Sequence, residues 1–186
     1  SGAPVTSPAL TVENSPPLAL GADLGPPAAT VSDELIVAPV GQLDLDGHPV
    51  TWTWEWSING VPEPASVTDS LPAGLFFRDD EVQVVGTPSD GYDDGLPVMS
   101  NLLTIGNSPP WVDSAELVVD WTALQLVASG LGWQDADGDP ESYQYGWELN
   151  GVPAASVTST FDGTVLQLGD SVQVTLTPDD GIVTGP

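Results

Sequence analysis

Cysteine and lysine are absent, and the basic side chains come down to one arginine, Arg78, and one histidine, His48. Without cysteine there are no disulfides and no thiolate metal sites, so stability rests on burial, β ladders and any bound ion. Without lysine there are no lysine–asparagine cross-links, and proteases that cut after basic residues find a single target. Against this scarcity stand 27 acidic residues and a formal net charge of −26. Such a surface repels phosphate backbones and anionic lipid, which excludes nucleic acids and anionic membrane surfaces as partners. It suits solubility, a saline medium or neutralisation by divalent cations. No apolar run reaches the ~18 residues of a membrane-spanning helix. The start of the chain has no charged segment leading into an apolar one, so no signal peptide is read in it. No window sustains a helical period, so essentially no helix is expected.

What the chain does have is 20 glycines, 19 prolines and a 40% hydrophobic content, which suits many short strands joined by turns around a packed core. It also repeats itself. Asn14-Ser15-Pro16-Pro17 returns as Asn107-Ser108-Pro109-Pro110, and Asp44-Leu45-Asp46-Gly47-His48-Pro49 as Asp135-Ala136-Asp137-Gly138-Asp139-Pro140. Trp56-Ser57-Ile58-Asn59-Gly60-Val61-Pro62 returns as Trp147-Glu148-Leu149-Asn150-Gly151-Val152-Pro153, and Thr87-Pro88-Ser89-Asp90-Gly91 as Thr177-Pro178-Asp179-Asp180-Gly181. The shift drifts from 93 to 90, which places small indels in loops. Residues 2–13 match 95–106, so they read as the last strand of a preceding unit, while the second copy stops where its own last strand would begin. The expected organisation is an N-terminal strand at 1–13, a first repeat at 14–106 and a second repeat at 107–186 that lacks its last strand.

Residues 51–58 alternate, with Trp52, Trp54, Trp56 and Ile58 on one face; Tyr143, Tyr145, Trp147 and Leu149 match them. Asn-Gly follows each strand, a strong hairpin signal. Further strands are expected around Leu35 and Val37, Leu75 and Phe77, Val82 and Val84, and Val98 to Ile105. With turns roughly every 8–12 residues, the pattern fits a sandwich of about seven strands, with Trp56 and Trp147 packed between the sheets. The fold class is therefore all-β, two tandem immunoglobulin-like β-sandwiches arranged head-to-tail, with Asn-Ser-Pro-Pro as a stiff hinge.

The Asp-x-Asp-Gly-Asp loop, the aromatic strand ending in Trp-x-x-Asn-Gly-Val and the Thr-Pro-x-Asp-Gly turn together resemble PKD-like and cadherin-like tandem repeats of large bacterial and archaeal surface proteins. The resemblance covers nearly the whole chain. It implies a secreted or surface-displayed β-sandwich array acting as filament, stalk or adhesin. The first copy departs from the pattern, with His48 where the third aspartate falls.

Asp135, Asp137 and Asp139 alternate around Gly138, hard oxygen ligands of the kind Ca²⁺ takes from a tight acidic loop. Asp179 and Asp180 complete the set if the two loops share one end of the sandwich. Asp44, Asp46 and Asp90 are the counterparts in the first copy. The plainer reading is that these aspartates and glycines only build turns. His48 reads as a solvated loop histidine and a poor Ca²⁺ ligand. A lone histidine with no cysteine, lysine or serine motif around it makes no catalytic centre, and adjacent carboxylates such as Asp79-Asp80 carry no weight in so acidic a chain, so no enzymatic activity is expected.

The leading functional expectation is an extracellular filament in which Pro4, Val5, Leu10 and Val12 of one subunit complete the second repeat of another. A slice of a longer surface stalk is the alternative, binding neighbouring repeats, a surface glycan or a protein receptor. A carbohydrate-binding module attached to an enzyme, using Trp52 and Trp54, is the third reading.

Overall fold

The computed structural model describes residues 2–186, and among them the protein is all-β and antiparallel within its sheets. Among the described residues the only helical element is a 3₁₀ turn at Gly163–Val165. Among the described residues no helix is long and apolar enough to cross a membrane. The chain divides into two compact units. One runs through Ala29 and takes in Asp33–Phe76 and Asp80–Thr104; the other comprises Thr30–Ser32, Phe77–Asp79 and Ile105–Pro186.

In the first unit the strands are β1 (Gly21–Gly25), β2 (Leu35–Val40), β3 (Thr51–Ile58), β4 (Val61–Glu63), β5 (Ser70–Leu71), β6 (Glu81–Ser89), β7 (Val98–Met99) and β8 (Leu103–Thr104). One sheet has the order β1-β2-β5, and the other β4-β3-β6-β7, with β8 also paired to β6. Buried side chains come from both: Leu24, Leu35, Val37 and Leu71 from the first, Trp54, Trp56, Val82, Val84 and Leu103 from the second, as expected for a β-sandwich. The second unit has β9 (Ser114–Asp120), β10 (Gln125–Leu131), β11 (Tyr143–Leu149), β12 (Val152–Pro153), β13 (Thr160–Asp162) and β14 (Val172–Pro178). Its sheets run β9-β10-β13 and β12-β11-β14. Leu126, Ala128 and Phe161 of one sheet enclose Trp147 of the other, with Val172 and Val174 packed against them.

The repeat in sequence is a repeat in register. Trp56 faces Val84 across β3 and β6, and Trp147 faces Val174 across β11 and β14. Each indole is buried and donates its Nε1–H over 2.9 Å to a backbone oxygen, of Thr68 or of Thr158. The Asn-Gly turns are left-handed at both positions, with φ of 52° and 74° at Asn59-Gly60 and 53° and 77° at Asn150-Gly151. Those are the values a two-residue hairpin of matching twist requires.

Two local expectations fail. Leu75 and Phe77 lie in no strand: Phe76 is the core residue and Phe77 is exposed. The second unit has a 3₁₀ turn at Gly163–Val165 instead of a strand there; Asp162 caps it, accepting the Thr164 N–H at 2.9 Å. Alternation is uninformative at a segment that crosses from one sheet to the other, because consecutive residues then face different layers.

The units differ most at one edge. In the first, β7 and β8 close the far side of β6, with Gly86 opposite Val98 and Val82 opposite Leu103. Asn101 bridges to the other sheet, accepting from the Leu24 N–H at 2.8 Å and donating to its carbonyl at 3.1 Å. In the second unit β14 pairs with β11 alone among the named strands. The core thins there: Val82 and Val84 are fully enclosed, whereas their counterparts Val172 and Val174 are half-buried. Leu24 is 2% exposed and its counterpart Leu117 is 38% exposed. Each large side chain left partly in water forfeits on the order of 1 kcal/mol of burial.

Candidate metal centres in the acidic loops

The loop between β2 and β3 is built around Asp44. Its Oδ1 accepts the backbone N–H of Asp46 at 3.0 Å and of His48 at 2.8 Å, while Gly47 takes φ 79°. Asp135 does the same in the second unit, accepting from Asp137 at 2.9 Å and Asp139 at 3.0 Å, with Gly138 at φ 80°. A short carboxylate that caps two N–H groups favours the turn over a continued strand. The middle aspartates reach sideways: Asp46 Oδ2 accepts the Ser15 N–H and Asp137 Oδ2 the Ser108 N–H, both at 2.6 Å.

The loop after β6, or after β14, comes to the same end of its sandwich. Asp90 Oδ1 accepts from Tyr92 and Asp93, both at 2.8 Å, and Asp180 Oδ1 from Ile182 at 2.7 Å and Val183 at 2.6 Å. The other oxygen of each takes an asparagine amide: Asn14 Nδ2 to Asp90 Oδ2 at 2.8 Å, Asn107 Nδ2 to Asp180 Oδ2 at 2.7 Å. Asn14 also donates to Asp93 Oδ2 at 2.9 Å. These asparagines, read from sequence only as part of a hinge, tie the acidic loops together. Their recurrence at the same shift as the aspartates was the available signal. Asp179, the other acid of that turn, instead accepts from Gln144 and its own loop.

Several buried polar atoms of these loops are left without a hydrogen-bond partner. Asp44 Oδ2, Asn14 Oδ1 and His48 Nδ1 in the first unit, and Asp135 Oδ2, Asp137 Oδ1 and Ser108 Oγ in the second, are buried atoms with no hydrogen-bond partner. Single ligand atoms of Asp44, Asp46 and His48 lie within 4.8 Å of one another, as do those of Asp135, Asp139 and Asp180. Carboxylates gathered so closely repel, by about 4 kcal/mol for a pair 4 Å apart at an effective dielectric of about 20. Buried and unpaired oxygens add a desolvation cost. A bound cation relieves both, so the acidic clusters are competent to hold a metal ion.

The two sites differ in their third position. Asp139 carries the chain's one guanidinium: Arg78 Nη1 pairs with Asp139 Oδ2 and donates to Asn107 Oδ1 at 2.6 Å, while Nη2 donates to Asp139 Oδ1 at 3.1 Å. The bond to Asp139 raises the arginine further above its ordinary value. Nothing in the sequence pattern marked Arg78 for this place. His48 is partly solvated as expected, its side chain 35% exposed, but one ring nitrogen is not. Its ring packs on Tyr92 with centroids 4.9 Å apart, and its Nδ1 is buried, 3.9 Å from Asp44 Oδ1 and 4.0 Å from Asp90 Oδ2.

Of the residues expected to join subunits, Val12 lines a depression together with Asn14, Asp46 and His48. Pro4, Val5, Leu10 and Val12 belong to an extended segment outside every strand, with Val5 97% and Leu10 90% exposed. Trp52 is partly exposed, stacked on Trp54 at 4.9 Å, with its Nε1–H donated to Gln42. No protein-family model matches the chain, and no curated protein shows significant similarity to it.

Proposed function

We propose that the chain is a structural subunit of an extracellular filament, built of two immunoglobulin-like sandwiches and joined to the next copy by strand complementation. The observation that carries this reading is that, among the described residues, β14 pairs with β11 alone while residues 4–12 lie in no strand. Residues 4–12 align with the β7–β8 segment at a shift of 93, identical at Pro4, Val5, Ser7, Leu10 and Thr11, and that segment closes the same edge in the first unit. Transferring the first unit's register sets Val5 opposite Leu176, Thr6 opposite Thr175, Leu10 opposite Val172 and Thr11 opposite Ser171. Val5 and Leu10, exposed as free side chains, then cover the half-buried Val172 and Val174 and the exposed Leu117. A contact of this kind is head-to-tail and does not close, so it propagates a fibre. Ca²⁺ held in the all-oxygen loop of the second unit stiffens each subunit and neutralises part of its charge. No enzymatic role is part of this reading.

The test exploits the absence of cysteine. Thr6→Cys combined with Thr175→Cys gives a ladder of disulfide-linked oligomers on a non-reducing gel. Each single variant stops at dimer or monomer, and an off-register Thr6→Cys with Gln173→Cys links poorly. Monomers alone at every concentration overturn strand exchange. Cross-linking confined within one molecule favours the stalk reading, in which a covalently attached repeat supplies the closing strand.

A further inference from the structure

The loop of the first unit is not a copy of the second with one ligand spoiled; its donor atoms differ in kind. Asp44 is the anchor: its side chain is 2% exposed and its Oδ2 has no partner. Asn14 presents its amide oxygen, also buried and unpaired, because both hydrogens of its Nδ2 are committed to Asp90 and Asp93. Into this oxygen cluster comes His48 Nδ1, with no hydrogen bond of its own. Its distances of 3.9 Å to Asp44 and 4.0 Å to Asp90 are too long for hydrogen bonds. Single ligand atoms of Asp44, Asp46 and His48 lie within 4.8 Å of one another, close enough for one ion to draw them together. An outer depression lined by Asn14, Asp46, His48 and Tyr92 gives the site an entry path.

We infer that the first unit binds a first-row divalent metal ion of the Zn²⁺ type through His48 Nδ1, Asp44, Asp46 and the Asn14 amide oxygen, whereas the second unit's oxygen-only site takes a hard cation. Ca²⁺ prefers six to eight oxygens and gains little from imidazole, while Zn²⁺ and its neighbours take imidazole with carboxylates readily. The inference rests on reading the acidic loops as cation sites and adds which ion each prefers. The second unit offers no imidazole.

Calorimetric titration of the chelator-treated chain with ZnCl₂ and, separately, CaCl₂ tests this. One Zn²⁺ is expected to bind with an affinity that His48→Ala lowers roughly tenfold or more, since even outer-shell changes around a metal cost that much. His48→Asp, which restores the three-aspartate pattern, is expected to lose the Zn²⁺ preference and gain a Ca²⁺ site. Asp135→Asn leaves Zn²⁺ binding intact and weakens Ca²⁺ binding. Co²⁺ supplies an independent readout, as its visible absorption bands are expected in the wild-type chain and absent in His48→Ala. A melt in chelator establishes that each variant folds. Zn²⁺ affinity unchanged in His48→Ala, or removed by Asp135→Asn instead, overturns the inference. Ca²⁺ uptake by both loops without Zn²⁺ preference overturns it while leaving the acidic loops as cation sites. No uptake of either ion overturns both.

Discussion

Gly86 shows how closely single residues are matched across a strand pair. A Cβ built there would stand 2.3 Å from Trp54 Cζ3, so the indole lies directly over the glycine it faces. In the second unit the same pair is Tyr145 and Leu176, a smaller ring over a larger partner. Gly86→Ala is expected to destabilise the chain by about 1–3 kcal/mol, as overpacking does, seen as a lower midpoint in urea. Acid sensitivity is also set by individual residues. The N–H of Asp93 foremost, then the Asn14 amide and the Tyr92 N–H, hold the Asp90 carboxyl down to about 2, against the opposing effect of desolvation. Hydrogen bonds from Thr164 to Asp162, and from Asn150 and Gln167 to Asp170, lower those carboxyls too. Groups depressed on folding contribute stability that is complete above the ordinary carboxylate range near 3.8 and disappears as pH falls below it. The metal-free melting temperature is therefore expected to drop between about pH 4 and 2. In Asn14→Ala the drop is shallower, because one of Asp90's donors is gone.

Among the elements, the closing strand is the one with consequences. In the first unit β7 and β8 add Leu103 to the core and enclose Val82 and Val84; the second unit leaves the corresponding edge of β14 open. A synthetic peptide of residues 2–13 is expected to raise the melting temperature of a variant lacking that segment. The same peptide with Leu10→Asp gives no shift, since a carboxylate cannot be buried beside Val172 without a partner. A raised midpoint with both peptides would sink the register proposed. The hairpins after β3 and β11 show the opposite situation, an element closed by its own turn. Their Asn-Gly pairs are the most legible local feature of the sequence because only a few residues tolerate φ near +50° to +80°. Phe76 was misjudged against Phe77 for the complementary reason: no periodicity survives where the chain leaves one sheet for the other.

For the whole molecule the ruling quantity is a net charge of −26 carried with one arginine and no lysine. Self-repulsion of that size opposes the compact state and weakens with ionic strength. The melting temperature is expected to rise with NaCl, and to rise at far lower concentrations of CaCl₂. A response identical at equal ionic strength would mean screening alone acts, without bound Ca²⁺.

The amino-acid sequence alone determined the all-β class, the two-fold repetition, the aromatic strands and the acidic turns, because these depend on alternation, turn chemistry and self-similarity, all of which are local. Only the tertiary structure decided which unpaired atoms meet. It brought Asn14 onto Asp90, set Arg78 against Asp139, turned His48 Nδ1 inward and left Val172 and Val174 half in water. Those outcomes depend on loops distant in sequence converging at one end of a sandwich and on which strand covers an edge. Strand alternation, which reports only neighbours along the chain, carries no record of either.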